Sequence, residues 1–193
     1  AYVFRWNPNT ESWNETQLVA NDGDSWDFFG KSVAISGDVA VIGAPWHTVN
    51  GSARQGAVYV YRYADAGWNL TQKLTANDGQ AQDRFGEGLA IEGDTLMVGA
   101  GYADDNSGLD SQGKVYIFKL RDGLWAQSQM LTVPDGISGD HFGYNLALSG
   151  NTLLASAHRQ TNHGRGFAGA VHFIAKPSLG QCYDTTAECA CLN

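Results

Sequence analysis

The sequence predicts an all-β protein built from four-stranded antiparallel sheets that repeat like the blades of a propeller. The stretch "FGKSVAISGDVAVIGAP" from Phe29 returns as "FGEGLAIEGDTLMVGAG" from Phe85 and as "FGYNLALSGNTLLASAH" from Phe142, at spacings of 56 and 57 residues. A fixed period of this length indicates a repeat architecture. The 24 glycines, 4 prolines and 11% aromatic residues suit many short strands joined by tight turns.

Each repeat contains four runs with strand character. In the first full repeat they are 32–36, 39–44, 56–63 and 68–76. The second run, "VAVIGA", is almost continuously apolar, as expected of a strand covered on both faces. The fourth, "WNLTQKLTA", is half polar. This gradient predicts a radial blade with buried inner strands and a solvated outer edge.

Recurring residues are expected to pack neighbouring blades together. The repeated Phe would fill the space between blades, and the small residues that end the second strand would let backbones approach closely. A Trp at the start of each fourth strand is predicted to be a packing anchor. These residues are Phe29, Phe85 and Phe142, then Gly43 and Gly99, then Trp13, Trp68 and Trp125.

The pattern "FG…GD…VIGAP…GAVYVY" resembles the FG-GAP repeat, the blade unit of integrin α-subunit β-propellers and of many extracellular proteins. The resemblance covers residues 1–176. It implies a β-propeller and an extracellular interaction or adhesion role.

The register of the chain predicts an incomplete ring or a part of a larger propeller. "AYVFRW" matches the third strand of a blade, so the chain begins within one. Missing blades on a longer chain, copies or partner chains that complete the ring, and an open stack with covered edges all remain as alternatives. The predicted units are a partial blade at 1–20, blades at 29–76 and 85–132, a partial blade at 142–176, and a cysteine-containing tail at 177–193.

Charge and motifs restrict the function. A net charge of −8 disfavours nonspecific binding to nucleic acid, and no run of 18 apolar residues predicts a membrane span. The sequence contains no G-x-S-x-G or H-E-x-x-H motif, no phosphate-binding loop and no concentrated cluster of reactive residues. We therefore expect a non-catalytic protein.

Cysteines and sequons favour an extracellular, secreted glycoprotein. Cys182, Cys189 and Cys191 do not match a zinc spacing, so they are disulfide candidates, although an odd number leaves one without a partner within this sequence. Candidate N-glycosylation sites are Asn14, Asn50 and Asn69.

Calcium is a possible cofactor that the integrin resemblance suggests. The turns between the first two strands are too short to surround an ion that needs six to eight oxygen ligands. Two other acidic stretches stay candidates, although their carboxylates equally suit hydrogen bonding to loop backbone. Their residues are Asp22, Asp24 and Asp27, and then Asp104, Asp105, Asn106 and Asp110.

The long loops between second and third strands are predicted to lie with the inter-blade connectors on one face, hereafter the loop face. Variable loops on a repeated scaffold commonly carry recognition. The predicted partners are other proteins or copies of this chain, and the alternative is a carbohydrate-binding or carbohydrate-active domain. The candidate residues are Trp46, His47, Arg54, Tyr102, Asp104, Asp105, His158, Arg159, Arg165 and Phe167.

Overall fold

The computed structural model describes residues 1–104, 110–133, 136–161 and 166–175. These residues form thirteen antiparallel strands and no helix. Within them, no helix is long and apolar enough to cross a membrane. The predicted all-β class and the order of the strands are confirmed.

The strands form four separate sheets, each a simple meander. The N-terminal hairpin consists of β1 (Tyr2–Asn7) and β2 (Ser12–Gln17). Blade A contains β3 (Ser32–Ser36), β4 (Val39–Ala44), β5 (Ala57–Ala64) and β6 (Gly67–Leu74). Blade B contains β7 (Gly88–Glu92), β8 (Thr95–Ala100), β9 (Lys114–Arg121) and β10 (Leu124–Leu131). Blade C contains, within the described residues, β11 (Phe142–Ser149), β12 (Thr152–Ala157) and β13 (Ala170–Ala175).

Burial follows the predicted gradient along each full blade. In blade A, β4 and the first half of β5 are buried, whereas most of β6 is exposed or half-buried. The apolar side chains of successive sheets meet in three clusters, one at each junction. The core therefore lies between the sheets, as stacked blades require.

The repeated Phe and Gly residues have the predicted packing roles. Phe85 is 0% exposed between blades A and B, and Phe142 is 1% exposed between blades B and C. Phe29 is half-buried against the cluster shared with the N-terminal hairpin. A Cβ added to Gly43 would overlap the carbonyl oxygen of Gly86 in the next blade, so backbones touch at this position.

The Trp anchors differ from one another. Trp125 is 5% exposed and Trp68 packs partly buried, as predicted, whereas Trp13 is 63% exposed and lies edge-on against Trp6. The prediction of a packing anchor is therefore wrong for Trp13. Its sheet has no neighbouring blade on that side within the described residues.

The innermost strands also differ. Val33 on β3 is 63% exposed, whereas the equivalent Leu89 on β7 is 9% exposed. Blade A covers β7, but the N-terminal hairpin contains only third and fourth strands and leaves one face of β3 uncovered.

Candidate functional site

The loop face is held together by backbone hydrogen bonds between blades. Arg84 N–H donates to Arg54 O at 3.1 Å, and Phe85 N–H donates to Gln55 O at 2.8 Å. The next junction repeats the pattern, since His141 N–H donates to Ser111 O at 3.2 Å. The connectors that follow blades A and B are thereby fixed against the long loops of those blades.

The residue before each repeated Phe adopts a left-handed backbone conformation. Phe28, Arg84 and His141 each have φ of 57°. Non-glycine residues are uncommon in this region and bulky ones are strained there. At the junctions of blades A and B and of blades B and C, the bonded connectors hold Arg84 and His141 in this conformation. The repeat thus places three different side chains, those of Phe28, Arg84 and His141, at one repeated position of the loop face.

These side chains contact the residues that follow the second strands. Phe28 lies 4.5 Å from Trp46 between ring centroids. The Arg84 guanidinium lies 5.3 Å from the Trp46 ring and 3.6 Å from the Tyr102 ring. Tyr102 lies 4.2 Å from His141, so the contacts run continuously from blade A to blade C. We call this set the aromatic strip: Trp26, Phe28, Trp46, Arg84, Tyr102 and His141.

Further groups border the aromatic strip. Arg54 lies over Trp46 at 4.4 Å, and His158 packs against His141 at 5.3 Å and Tyr144 at 4.4 Å. Arg159 lies 5.8 Å from the Phe167 ring. The loop face therefore combines aromatic surface with cationic groups, which attract the faces of aromatic rings.

His141 is uncharged at neutral pH. Its side chain is 2% exposed, and burial lowers its pKa to about 4, with the nearby charges of Arg159, His158 and Arg84 acting in the same direction. Burial, followed by Arg159, also lowers the pKa of His158. The aromatic strip thus ends in the neutral imidazole ring of His141 at pH 7.

We expect the titration of His141 to lower the free energy of unfolding as the pH falls from about 6.5 to about 4. Its folded pKa of about 4 lies below the ordinary 6.5, so the unfolded chain binds more protons between these values and stability falls as the pH falls. Asp83 acts in the opposite direction, because burial raises its pKa to about 6 from 3.8. The contribution of Asp83 cancels when the wild type is compared with the His141→Gln variant, since Asp83 is present in both proteins.

Denaturant unfolding at pH 7 and pH 5 measures this effect. His141→Gln is expected to lose about 2 kcal/mol less stability than the wild type on acidification, since pH 5 lies about 1.5 units below the ordinary pKa of 6.5 and each unit corresponds to about 1.4 kcal/mol. Equal losses in the two proteins would contradict the assignment.

A polar network lies beneath Trp46 in blade A. His47 is 6% exposed, and its Nδ1 lies 2.6 Å from Asp27 Oδ2. Lys73 Nζ lies 2.7 Å from His47 Nε2 and 2.5 Å from Asp22 Oδ2, and the Tyr59 hydroxyl donates to Asp22 Oδ1 at 2.7 Å. Because an ammonium only donates, Nε2 accepts and Nδ1 carries the proton that is donated to Asp27.

Asp22, Asp27 and His47 of this network line an open cleft of about 580 Å³. Trp26, Trp46 and Arg54 line it as well. The Lys73 hydrogen bond lowers the pKa of Asp22, so this carboxylate is ionised at neutral pH. The cleft therefore offers aromatic faces, a guanidinium and carboxylate oxygens.

The structure brings together most of the predicted loop-face residues. Trp46, His47, Arg54 and Tyr102 belong to the aromatic strip or border it, and His158, Arg159 and Phe167 lie at its blade C end. Asp104 is exposed and accepts the Ser111 N–H at 2.8 Å. Asp105 and Arg165 lie outside the described residues.

The acidic candidates for calcium have other partners. Asp27 accepts the Asp24 N–H at 2.8 Å in addition to its bond with His47, and Asp24 accepts the Ser25 N–H at 2.7 Å. The repeat-equivalent Asp83 and Asp140 also accept backbone N–H groups. Across the described residues, no three His, Cys, Asp or Glu side chains are grouped to hold a metal. Calcium stays a prediction, and of its second candidate stretch, Asn106 lies outside the described residues while Asp110 is exposed.

The structure describes the three sequon asparagines but not the three cysteines. Asn14, Asn50 and Asn69 are exposed, as glycosylation requires. Cys182, Cys189 and Cys191 lie outside the described residues. Glycosylation and disulfide bonding stay predictions.

Sequence reasoning missed Phe28, Arg84 and His141 as parts of the site. A signal was present: each immediately precedes the repeated Phe-Gly pair, and the residue type changes while its neighbours recur. It also missed Lys73, which lies on a strand far from the loops in sequence.

Comparison with known proteins decides the family. The FG-GAP repeat matches three segments, residues 13–61, 68–118 and 125–174. The chain belongs to the FG-GAP repeat family. These repeats are typical of extracellular proteins and of propeller-type interaction modules.

Two other comparisons give less information about this FG-GAP repeat protein. A search of curated proteins finds no match. A solved structure described as "Structure of YjhT" is similar at 17% sequence identity, with a TM-score of 0.40, and the match covers 90% of this chain and 52% of that one. The chain thus spans about half of that structure.

Proposed function

We propose that this FG-GAP repeat protein is a non-catalytic extracellular module that binds a protein partner through its loop face. The observation that carries the proposal is the aromatic strip, which crosses three blades as a chain of contacting rings joined by the Arg84 guanidinium. Trp, Tyr and Arg are the residue types that most often dominate binding energy at protein interfaces.

The exposure of the strip favours a partner that covers a broad surface. Trp26 is 78% exposed and Phe28 is 44% exposed at one end, and Phe167 is 75% exposed beyond the other. Large exposed apolar groups of this kind mark interaction surfaces when they are contiguous.

Charge supports a partner that presents carboxylates. The whole chain has a net charge of −8, yet the loop face gathers Arg54, Arg84 and Arg159. Guanidinium groups stacked on aromatic rings are held in place to form paired hydrogen bonds with carboxylates. Copies of this acidic chain therefore belong among the partners to be tested.

A binding screen against purified extracellular proteins, with the chain itself included, tests the proposal. Arg84→Ala is expected to weaken binding of a partner by about tenfold or more, since truncation of a central interface Arg typically costs over 1 kcal/mol. Arg121→Ala is the matched control, because Arg121 is exposed at the opposite end of the blade. If both variants bind equally well, the loop face is not the interface.

The cleft over Asp22 favours carbohydrate recognition as a second candidate. Aromatic faces beside carboxylates suit the stacking and hydrogen bonding of a sugar, and the cleft of about 580 Å³ has the size of a small-ligand site. A glycan array separates the two functions. Glycan binding that Trp46→Ala abolishes would support this alternative, and no binding to any glycan would exclude it.

A further inference from the structure

The blade A end of the aromatic strip, formed by Trp26, Phe28 and Trp46, is ridged rather than flat. Trp26 and Phe28 lie 6.4 Å apart between ring centroids, with their planes at 44°. Phe28 and Trp46 lie 4.5 Å apart, with their planes at 57°. Rings tilted in this way leave grooves between their exposed edges, and Trp26 and Trp46 both line the cleft of about 580 Å³. An occupant of this end must therefore fit compact apolar groups between rings.

The polar atoms that the same rings present are hydrogen-bond donors. Across the part of the chain that the structure describes, the indole N–H groups of Trp26 and Trp46 make no hydrogen bond, and solvent reaches both. The Arg84 guanidinium lies over the rings of Trp46 and Tyr102. Indole and guanidinium groups donate hydrogen bonds and accept none. The ligand is therefore expected to bring acceptors.

The carboxylates beside these rings already accept hydrogen bonds from the protein itself. Asp22 accepts from Lys73 Nζ at 2.5 Å and from the Tyr59 hydroxyl at 2.7 Å. Asp27 accepts from His47 Nδ1 at 2.6 Å. These pairs neutralise much of the negative charge of the cleft, and they leave the indole and guanidinium donors to the ligand.

The main chain beneath the rings is bonded as well. Trp46 N–H donates to Asp27 O at 3.2 Å, and Arg84 N–H donates to Arg54 O at 3.1 Å. A ligand that binds by strand pairing needs a row of unbonded N–H and C=O groups. Strand pairing would therefore have to break these bonds, so the ligand is expected to bind through side-chain donors instead.

Proline has the chemistry that complements such a surface. Its ring is compact and apolar, and its backbone offers a carbonyl acceptor without an N–H donor. A run of prolines adopts the polyproline II helix, in which the carbonyls have no internal hydrogen bonds. Because this helix is already formed in the free peptide, little conformational entropy is lost on binding, and aromatic-lined grooves are its usual receptors.

We propose that the blade A end of the aromatic strip binds a proline-rich segment of another protein in the polyproline II conformation. Its proline rings pack between Trp26, Phe28 and Trp46, and its carbonyls accept hydrogen bonds from the indole N–H groups. This inference rests on the proposed function, since it names the class of protein partner that the loop face takes.

A labelled decaproline peptide titrated with the full chain tests the inference, with fluorescence anisotropy as the measure of binding. The control is a glycine-serine peptide of the same length, which is flexible and carries N–H donors at every residue. We expect saturable binding of decaproline and none of the control. Absence of decaproline binding, or equal binding of the two peptides, would overturn the inference.

Two exposed tryptophans locate the peptide on the chain. Trp26→Ala is expected to weaken decaproline binding by about fivefold or more, as truncation of an aromatic anchor does. Because Trp26 is 78% exposed, the fold should tolerate this change. Trp13→Ala is the matched control, since Trp13 is 63% exposed on the N-terminal hairpin, away from the loop face. Equal affinities of the two variants would overturn the assignment to the aromatic strip.

A competition experiment separates this inference from the proposed function. For a partner found in the binding screen, displacement by decaproline together with loss of binding to Arg84→Ala supports both. A partner that Arg84→Ala weakens but decaproline does not displace overturns the proline-rich class and supports the loop face as the interface. A partner that binds Arg84→Ala and Arg121→Ala equally well overturns the proposed function, whatever the result with decaproline.

Discussion

Replacing Phe85 with alanine is expected to lower the free energy of unfolding by about 3–5 kcal/mol, the usual cost of removing a fully buried aromatic ring. Phe85 is 0% exposed and packs edge-on against Tyr116 at 5.4 Å and Phe118 at 5.9 Å. The ring fills the junction of blades A and B. Its removal leaves a cavity that closes only if the two sheets shift toward each other.

Chemical denaturation measured by tryptophan fluorescence checks this prediction. Phe4→Ala serves as the control, because Phe4 is 54% exposed on β1 and its removal should cost about 1 kcal/mol or less. Similar losses for the two variants would show that the repeated Phe is not what holds these blades together.

Gly99→Ala is expected to lower the free energy of unfolding by about 2–4 kcal/mol, because the added methyl group forces the backbone to move. A Cβ at Gly99 would overlap the carbonyl oxygen of Gly143, and the obstacle is the backbone of blade C rather than a flexible side chain. The expected result is a lower Tm with loosened contact between blades B and C.

Gly67→Ala is the matched control for that substitution. Gly67 begins β6, a Cβ there would meet nothing within 4 Å, and its φ lies outside the left-handed region. The control should be neutral or slightly stabilising, since alanine restricts the unfolded chain. A Tm for Gly99→Ala equal to that of the control would contradict the close approach of the two backbones.

Much of the fold could be predicted because the repeat encodes it locally. The runs at 32–36 and 39–44 coincide with β3 and β4, since a glycine turn and an apolar run leave little freedom in the bounds of a short strand. β5 and β6 differ from the predicted ranges by one or two residues, because nothing in the sequence marks the last paired residue of either strand.

The candidate site could be predicted only in part. Trp46, Arg54 and Tyr102 were expected on the loop face because they occupy the long loops. Arg84 was not, although its guanidinium joins the rings of two blades. Its position depends on a left-handed backbone conformation and on hydrogen bonds from the preceding blade, and both arise only when sheets stack.

The sequence by itself determined the repeat, the strand order within each blade and the residues that pack between blades, because these follow from periodicity and local polarity. Only the tertiary structure decided which residues of different blades meet. It joined His47 to Lys73 on the outer strand, and it left Trp13 exposed while Trp125 became enclosed. The physical reason is that burial at a junction depends on the presence of a neighbouring sheet, a property that the sequence of a single repeat does not contain.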